Sequence, residues 1–368
     1  VLGNESGIEN ALYVSDEYSL SNRLTLLGGL RFSVYSFLGP QTVNEYAENN
    51  PREPENIINT YDFSRGEIIK SYTGVEPRLA MNFLLDDNSS FKASYNRIKQ
   101  YIFLLSNTIA IAPNDQWKLT DYNIMPPVAD QLSIGYYRDF RSQGINLSLE
   151  LYKKWVNHVV DYKNGANFIS DVPVEQQVIQ GNQDVAGVEF LLKRNKGKFS
   201  GWLSYTYSRS LITMSSPFPG ESVNGGNPYP SNYDRPHSVN FAANYRHSKR
   251  ISISTNMVYY TGRPITLPVG VYYSGGQGIL VFSDRNQYRV PDYFRIDLSI
   301  NLEGNLKNKK LGHSYWMVNV YNLTGRNNAY SVYYEVDRGN VQGYLLSVFP
   351  RPIFTLSWQF KLGNYTNE

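Results

Sequence analysis

The chain has 368 residues, a net charge of +3 and no cysteine, and only 18% of its residues are charged, against about 25% in an average globular protein. Near-neutrality leaves no basic excess for neutralising phosphates, which argues against a nucleic-acid binder. The missing thiols exclude disulfide frameworks, thiolate zinc sites and cysteine nucleophiles, and no apolar run approaches the ~18 residues of a membrane helix.

Taken in chain order, the pattern is alternation with almost no helical period. Strands are predicted at 12–19, 24–35, 75–85, 91–104, 132–140, 145–151, 185–193, 199–210, 239–245, 251–260, 294–302, 314–323 and 354–362, about thirteen in all. The last is the clearest. Phe354, Leu356, Trp358, Phe360 and Leu362 point one way, and Thr355, Ser357, Gln359 and Lys361 the other. Residues two apart share a sheet face, so each such strand has one apolar and one polar side.

Connection lengths alternate as well. Tight turns fall at 20–22, 86–89, 141–144, 195–198 and 247–249, and long polar loops at 38–72, 106–128, 163–184, 211–236 and 261–292. A soluble sandwich has no reason to gather its short turns at one end, whereas an outer-membrane barrel does. Its polar faces carry Ser, Asn, Thr and Gln rows, as a wet lumen allows, and the mean hydropathy of −0.42 is consistent with that. The fold expected is an all-β, antiparallel transmembrane barrel. Bacterial single-chain barrels have even strand numbers, so an odd count starting at Val1 predicts the later part of a larger barrel.

Several segments resemble TonB-dependent outer-membrane receptors. Ala11-Leu12-Tyr13-Val14-Ser15-Asp16-Glu17-Tyr18, Asn22-Arg23-Leu24-Thr25-Leu26 and Gly29-Leu30-Arg31-Phe32 are similar to the family's mid-barrel signature. Glu76-Pro77-Arg78, Lys92-Ala93-Ser94-Tyr95-Asn96-Arg97, the run from Tyr233 to Asn240 and the penultimate-strand run from Val320 to Asn328 follow in the family's order. The branch most resembled carries a carboxypeptidase-regulatory-like extension and includes SusC-type importers. One departure is the tail of eight residues after Phe360, where the family commonly ends on an aromatic residue.

The resemblance implies a plugged barrel of about 22 strands, with the plug domain and early strands absent from residues 1–368. It further implies an outer-membrane location and import of a scarce solute, such as an iron chelate, cobalamin, glycan or peptide, with energy from TonB. The implied partners are outer-membrane lipid, the plug and remaining strands, the TonB complex and a surface lipoprotein, with no nucleic acid. No enzyme activity and no cofactor are expected. The alternative reading is a passive porin-like channel.

Catalytic and metal constellations are weak. His158, His237, His247 and His313 have no metal-ligand spacing. His237 beside Asp234 suggests an acid–base pair, against the plainer reading of a hydrogen-bonded strand cap. Glu76, Arg78, Glu150, Glu189, Arg295 and Asp297 fall on polar faces, where pairing between strands is the expected role. Trp155, Tyr162, Tyr205, Tyr207, Tyr259, Tyr260, Tyr293, Tyr315 and Trp316 sit at strand ends, as membrane girdles do. Aromatics deep in loops differ: Tyr46, Trp117, Tyr122, Phe168, Tyr229, Tyr272 and Tyr273. Of these, Trp117, Tyr122, Tyr229, Tyr272 and Tyr273 are the candidate substrate-binding residues, because external loops carry recognition on a rigid wall.

Overall fold

The computed structural model describes residues 4–105, 116–166, 172–275, 277–304, 312–337 and 340–363. Thirteen strands form one antiparallel wall in chain order: β1 (Ser6–Ser21), β2 (Leu24–Leu38), β3 (Ile68–Asp86), β4 (Ser89–Lys99), β5 (Val128–Phe140), β6 (Ile145–Tyr162), β7 (Val178–Arg194), β8 (Phe199–Thr213), β9 (His237–Arg246), β10 (Ile251–Tyr260), β11 (Tyr293–Glu303), β12 (Gly312–Tyr321) and β13 (Ile353–Leu362). Each inner strand pairs with its chain neighbours, while β1 and β13 pair on one side only among the described residues.

The register carries one face across the whole wall. Leu151 lies opposite both Ile134 and Val188, Met257 opposite both Phe241 and Ile296, and Val318 opposite both Ile300 and Leu356. Directly opposed residues share a face, so these side chains build one continuous apolar surface. Leu151, Ile134, Val318 and Leu356 are exposed on it. The opposite face collects Ser94, Ser133, Glu150, Glu189, Asn244, Ser254, Asp297, Ser299 and Asn319. Its hydroxyls and amides bond across strands, as Ser94 Oγ does to Ser133 Oγ at 2.7 Å and Ser299 Oγ to Asn319 Oδ1 at 2.6 Å. On this face the Tyr152 ring lies against Gly187, where any side chain at 187 would collide with it.

Tight turns join the strands at one end. Gly144 (φ +64°) and Gly197 (φ +93°) occupy the left-handed region there, which glycine enters at no steric cost. At the other end the predicted long loops are folded. They hold hairpins Gln41–Tyr46 with Ile57–Phe63, Ile102–Leu105 with Gln116–Leu119, and Pro268–Ser274 with Gln277–Phe282. A further hairpin, Ala329–Asp337 with Asn340–Ser347, lies between β12 and β13, where the sequence reading placed no element.

The bounds of four predicted strands are corrected. The strand expected at 91–104 leaves the wall after Lys99, and Ile102–Leu105 pairs with Gln116–Leu119 instead. Alternation continues through this junction, but Tyr101, Phe103 and Leu105 bury in loop cores rather than on the wall's apolar face. The strands at 75–85, 145–151 and 185–193 are also longer at the loop end, running 68–86, 145–162 and 178–194.

Candidate functional site: the folded loops and the mouth pocket

The loops form a cap with three small cores of its own. Tyr35, Phe37, Val43, Ile69 and Tyr101 make the first, Phe103, Leu105, Ile124 and Val178 the second, and Ile179, Met214, Val223 and Tyr229 the third. Tyr35 and Tyr101 stack with ring centroids 4.6 Å apart. These cores draw on both strand ends and loops, so the loop positions are set by the wall beneath them.

Buried polar groups tie the loops together. The Lys118 ammonium donates to Glu5 Oε1 and Asp121 Oδ2, each at 2.5 Å, although the residue is only 3% exposed. Burial alone would depress Lys118, but Asp121 and Glu5 outweigh it and raise its pKa above the ordinary lysine value. Arg285 donates to Asp161 Oδ1 at 3.0 Å and to Asn164 Oδ1 at 2.8 Å, and lies 3.9 Å over the Tyr162 ring. The Tyr46 hydroxyl donates to Glu175 Oε1 at 3.2 Å, and burial holds that carboxyl above its usual range.

The five loop aromatics singled out by sequence separate into two groups. Trp117, Tyr272 and Tyr273 are 65%, 52% and 65% exposed. Tyr122 is half-buried against the first core, with Lys70 Nζ 5.4 Å from its ring centre. Tyr229 is 2% exposed and donates its hydroxyl to Asp161, so in this structure its ring packs loops together. Burial and Asp161 push its pKa up. Phe168 lies outside the described residues.

The plainer reading of His237, a hydrogen-bonded strand cap, holds, and that of the strand-end aromatics is refined. His237 Nδ1 lies 3.0 Å from the Tyr205 hydroxyl, and its backbone N–H donates to Thr261 Oγ1 at 3.1 Å. Asp234 instead turns inward, fully buried, to pair with Arg289 and accept from the Ser210 N–H at 2.7 Å. They form no acid–base pair. The strand-end aromatics also divide. Trp155, Tyr205, Tyr207, Tyr259 and Trp316 lie on the apolar face by register, whereas Tyr260, Tyr293 and Tyr315 share the polar face with Ser238, Arg295 and Gln359. Tyr162 packs against the second loop core.

The polar-face charges find partners both across and along the strands. Glu76 accepts from Ser33 Oγ at 2.7 Å and lies 3.9 Å from Arg31, not against Arg78. Arg295 Nε meets Asp297 at 3.1 Å, and Tyr137 donates to Glu150 at 2.6 Å. Glu189 stands directly opposite Glu150.

At the loop end of β9 to β13, on the polar face, lies a cleft of about 680 Å³. The motif residues build its walls. Asn322 is buried at φ +52° and donates through its side chain to the Arg326 and Phe349 carbonyls at 3.1 and 3.2 Å. The Asn328 side chain accepts from the Phe294 N–H and donates to the Phe294 carbonyl, each at 2.9 Å, completing the pairing that a strand would supply. Asp234 anchors the segment carrying Arg235. Tyr260 and Tyr293 stack across β10 and β11 at 4.5 Å, and Arg235 lies 4.2 Å over Tyr260. Sequence reasoning missed Arg235, Arg263 and Tyr330 as cleft residues. The adjacent pair Tyr259-Tyr260 was the available signal, since neighbours on a strand must face opposite sides.

Comparison with known proteins places this geometry. The model of the TonB dependent receptor-like β-barrel family matches residues 3–323. Among solved structures, the FrpB iron transporter from Neisseria meningitidis (F5-1 variant) is 14% identical with a TM-score of 0.59, over 98% of this chain and 47% of that one. The ferric-catecholate import receptor Fiu from E. coli K12, closed form, is 15% identical with a TM-score of 0.56, over 96% and 45%. The ferripyoverdine receptor of Pseudomonas aeruginosa is 13% identical with a TM-score of 0.55, over 97% and 38%. The chain thus spans less than half the length of each, and these likenesses show the fold. A comparison with curated proteins gives no match. The apolar face is therefore the lipid-facing one, the polar face lines the lumen, and the family is one of transport receptors and not of enzymes. The chain belongs to the TonB-dependent receptor-like β-barrel family of the bacterial outer membrane.

Proposed function

We propose that the protein is an outer-membrane active-transport receptor, which captures a scarce solute at its external loops and imports it with energy supplied through TonB. The observation that carries this reading is the loop cap with its own cores, set on the wall of a receptor family. A passive channel gains nothing from ordering loops so heavily, whereas a receptor needs preorganised contacts. In this reading the thirteen strands are the C-terminal part of a larger, 22-stranded barrel. A plug domain and the remaining strands complete it, outer-membrane lipid surrounds it, and a surface lipoprotein of the SusC-type systems is a further partner. Solutes of the kind named for the compared structures, ferric chelates, are the first to test; cobalamin, glycans and peptides are the others.

Trp117, Tyr272 and Tyr273 are the loop rings open to a solute, with Tyr122 half-buried against the first core and Tyr229 holding the loops in place. Each stacked ring contributes on the order of 1 kcal/mol, by analogy with aromatic pairs. The test is uptake by cells carrying the full-length receptor, with and without a functional TonB. The expected result is uptake that stops when TonB is removed and weakens when Trp117, Tyr272 and Tyr273 are together replaced by Ala, while receptor levels in the membrane stay normal. Uptake that persists without TonB would identify a passive channel instead.

A further inference from the structure

We propose that the cleft at the mouth of the lumen is an anion-binding site, which selects solutes carrying carboxylate- or phosphate-type oxygens, with Arg235 and Arg263 as its charged contacts. This rests on the importer reading and adds the charge class of the solute.

The lining is one-sided. Arg235, Arg263 and Arg295 face the cleft together with tyrosines from five segments, and no carboxylate lines it among the described residues. Arg295 is engaged: its Nε meets Asp297 at 3.1 Å, and its Nη1 donates to the Tyr293 and Tyr321 hydroxyls at 3.0 and 2.9 Å. Arg235 is held differently. Its guanidinium lies over the Tyr260 ring, 4.2 Å from the ring centre, and no carboxylate pairs with it among the described residues. No hydrogen bond engages its guanidinium among the described residues. The donor fork therefore stays open for a bidentate oxyanion. Tyr293, stacked on Tyr260 at 4.5 Å, stiffens this platform.

Electrostatics agrees with the geometry. Burial, with Arg263 nearby, shifts Arg235 below the ordinary arginine value, so the charged group is uncomfortable without an anion. Two strand junctions hold the site rigidly, through Asp234 under the Arg235 segment and Asn328 clasping Phe294. Tyr233 and Tyr330, 81% and 59% exposed, stand on the lining where a ring-bearing solute would stack. Arg and Tyr combined in a half-desolvated cleft reward an anion more than a neutral solute, because an uncharged ligand would displace water from the cations without replacing its stabilisation.

The test uses the full-length receptor purified in detergent and titrated by calorimetry with citrate, ferric citrate, inorganic phosphate and the neutral disaccharide maltose. The expected result is binding of at least one anion, weakened by added salt, with maltose silent. Arg235→Gln and Arg263→Gln should each weaken that binding about 10-fold or more. Arg235→Lys should recover part of it, since the charge returns without the planar fork. Citrate against phosphate separates the carboxylate source from the phosphate source. Unboiled gel mobility checks that every variant is folded. If no anion binds, or if binding is unchanged in both Gln variants, the proposal is overturned. TonB-dependent uptake of a neutral solute alongside silent anions would end this inference and leave the importer reading intact. Anion binding without TonB-dependent uptake would do the reverse.

Discussion

Leu149 and Ser148 are neighbours in β6 that the pleat turns to opposite sides. Leu149 lies opposite Tyr136 and Phe190 on the lipid face, and Ser148 opposite Tyr137 and Leu191 on the lumen face. A lysine on the lipid face of a barrel costs about 2–4 kcal/mol near the midplane, and much less on a wet wall. In the full-length receptor, Leu149→Lys should therefore reduce folded protein far more than Ser148→Lys, read from urea unfolding in lipid vesicles. Equal losses would show that the faces are wrongly assigned. This much was legible in the sequence, because a period of two is a local property that needs no knowledge of partners. Pairs such as Tyr259-Tyr260 were less so. Both are aromatic and both end a strand, and only the register separates the lipid-facing ring from the one in the cleft.

Among the elements, the external loops were the least legible. Sequence marked them as long and polar, but not as hairpins with shared cores, since their order comes from contacts between segments far apart in the chain. Glu5 with Lys118, and Asp161 with Arg285, are separated by 113 and 124 residues. The Lys118 clamp gives a prediction at this scale. Its pKa is raised in the folded loop, so its contribution is fully present below the ordinary lysine value near 10.5 and is lost as pH rises through the folded-state value. Loop proteolysis should thus be slow and steady from neutral pH to about 10 and quicken beyond. Lys118→Met leaves Glu5 and Asp121 buried without their cation, a loss of about 3–5 kcal/mol for a buried pair. It should expose the 116–127 segment to protease at neutral pH while the barrel keeps its gel mobility. Protease resistance equal to that of the parent would show that the clamp does not order the loop.

At the scale of the molecule, the wall is ordered but open. All of β1 is exposed, and so is β13 apart from Ser357. Among the described residues each strand offers one unpaired row of backbone groups, and in hydrocarbon every such group costs several kcal/mol. The account therefore requires further strands between β13 and β1 in the working receptor, in keeping with a chain that spans less than half of the compared structures. The most direct measurement is the gel mobility of residues 1–368 refolded alone in detergent, unboiled against boiled. The account predicts no compact monomer, with unboiled chains running as unfolded or as assemblies joined through their open edges. A fast-migrating, heat-modifiable monomer would mean that the thirteen strands close on themselves, and would contradict it.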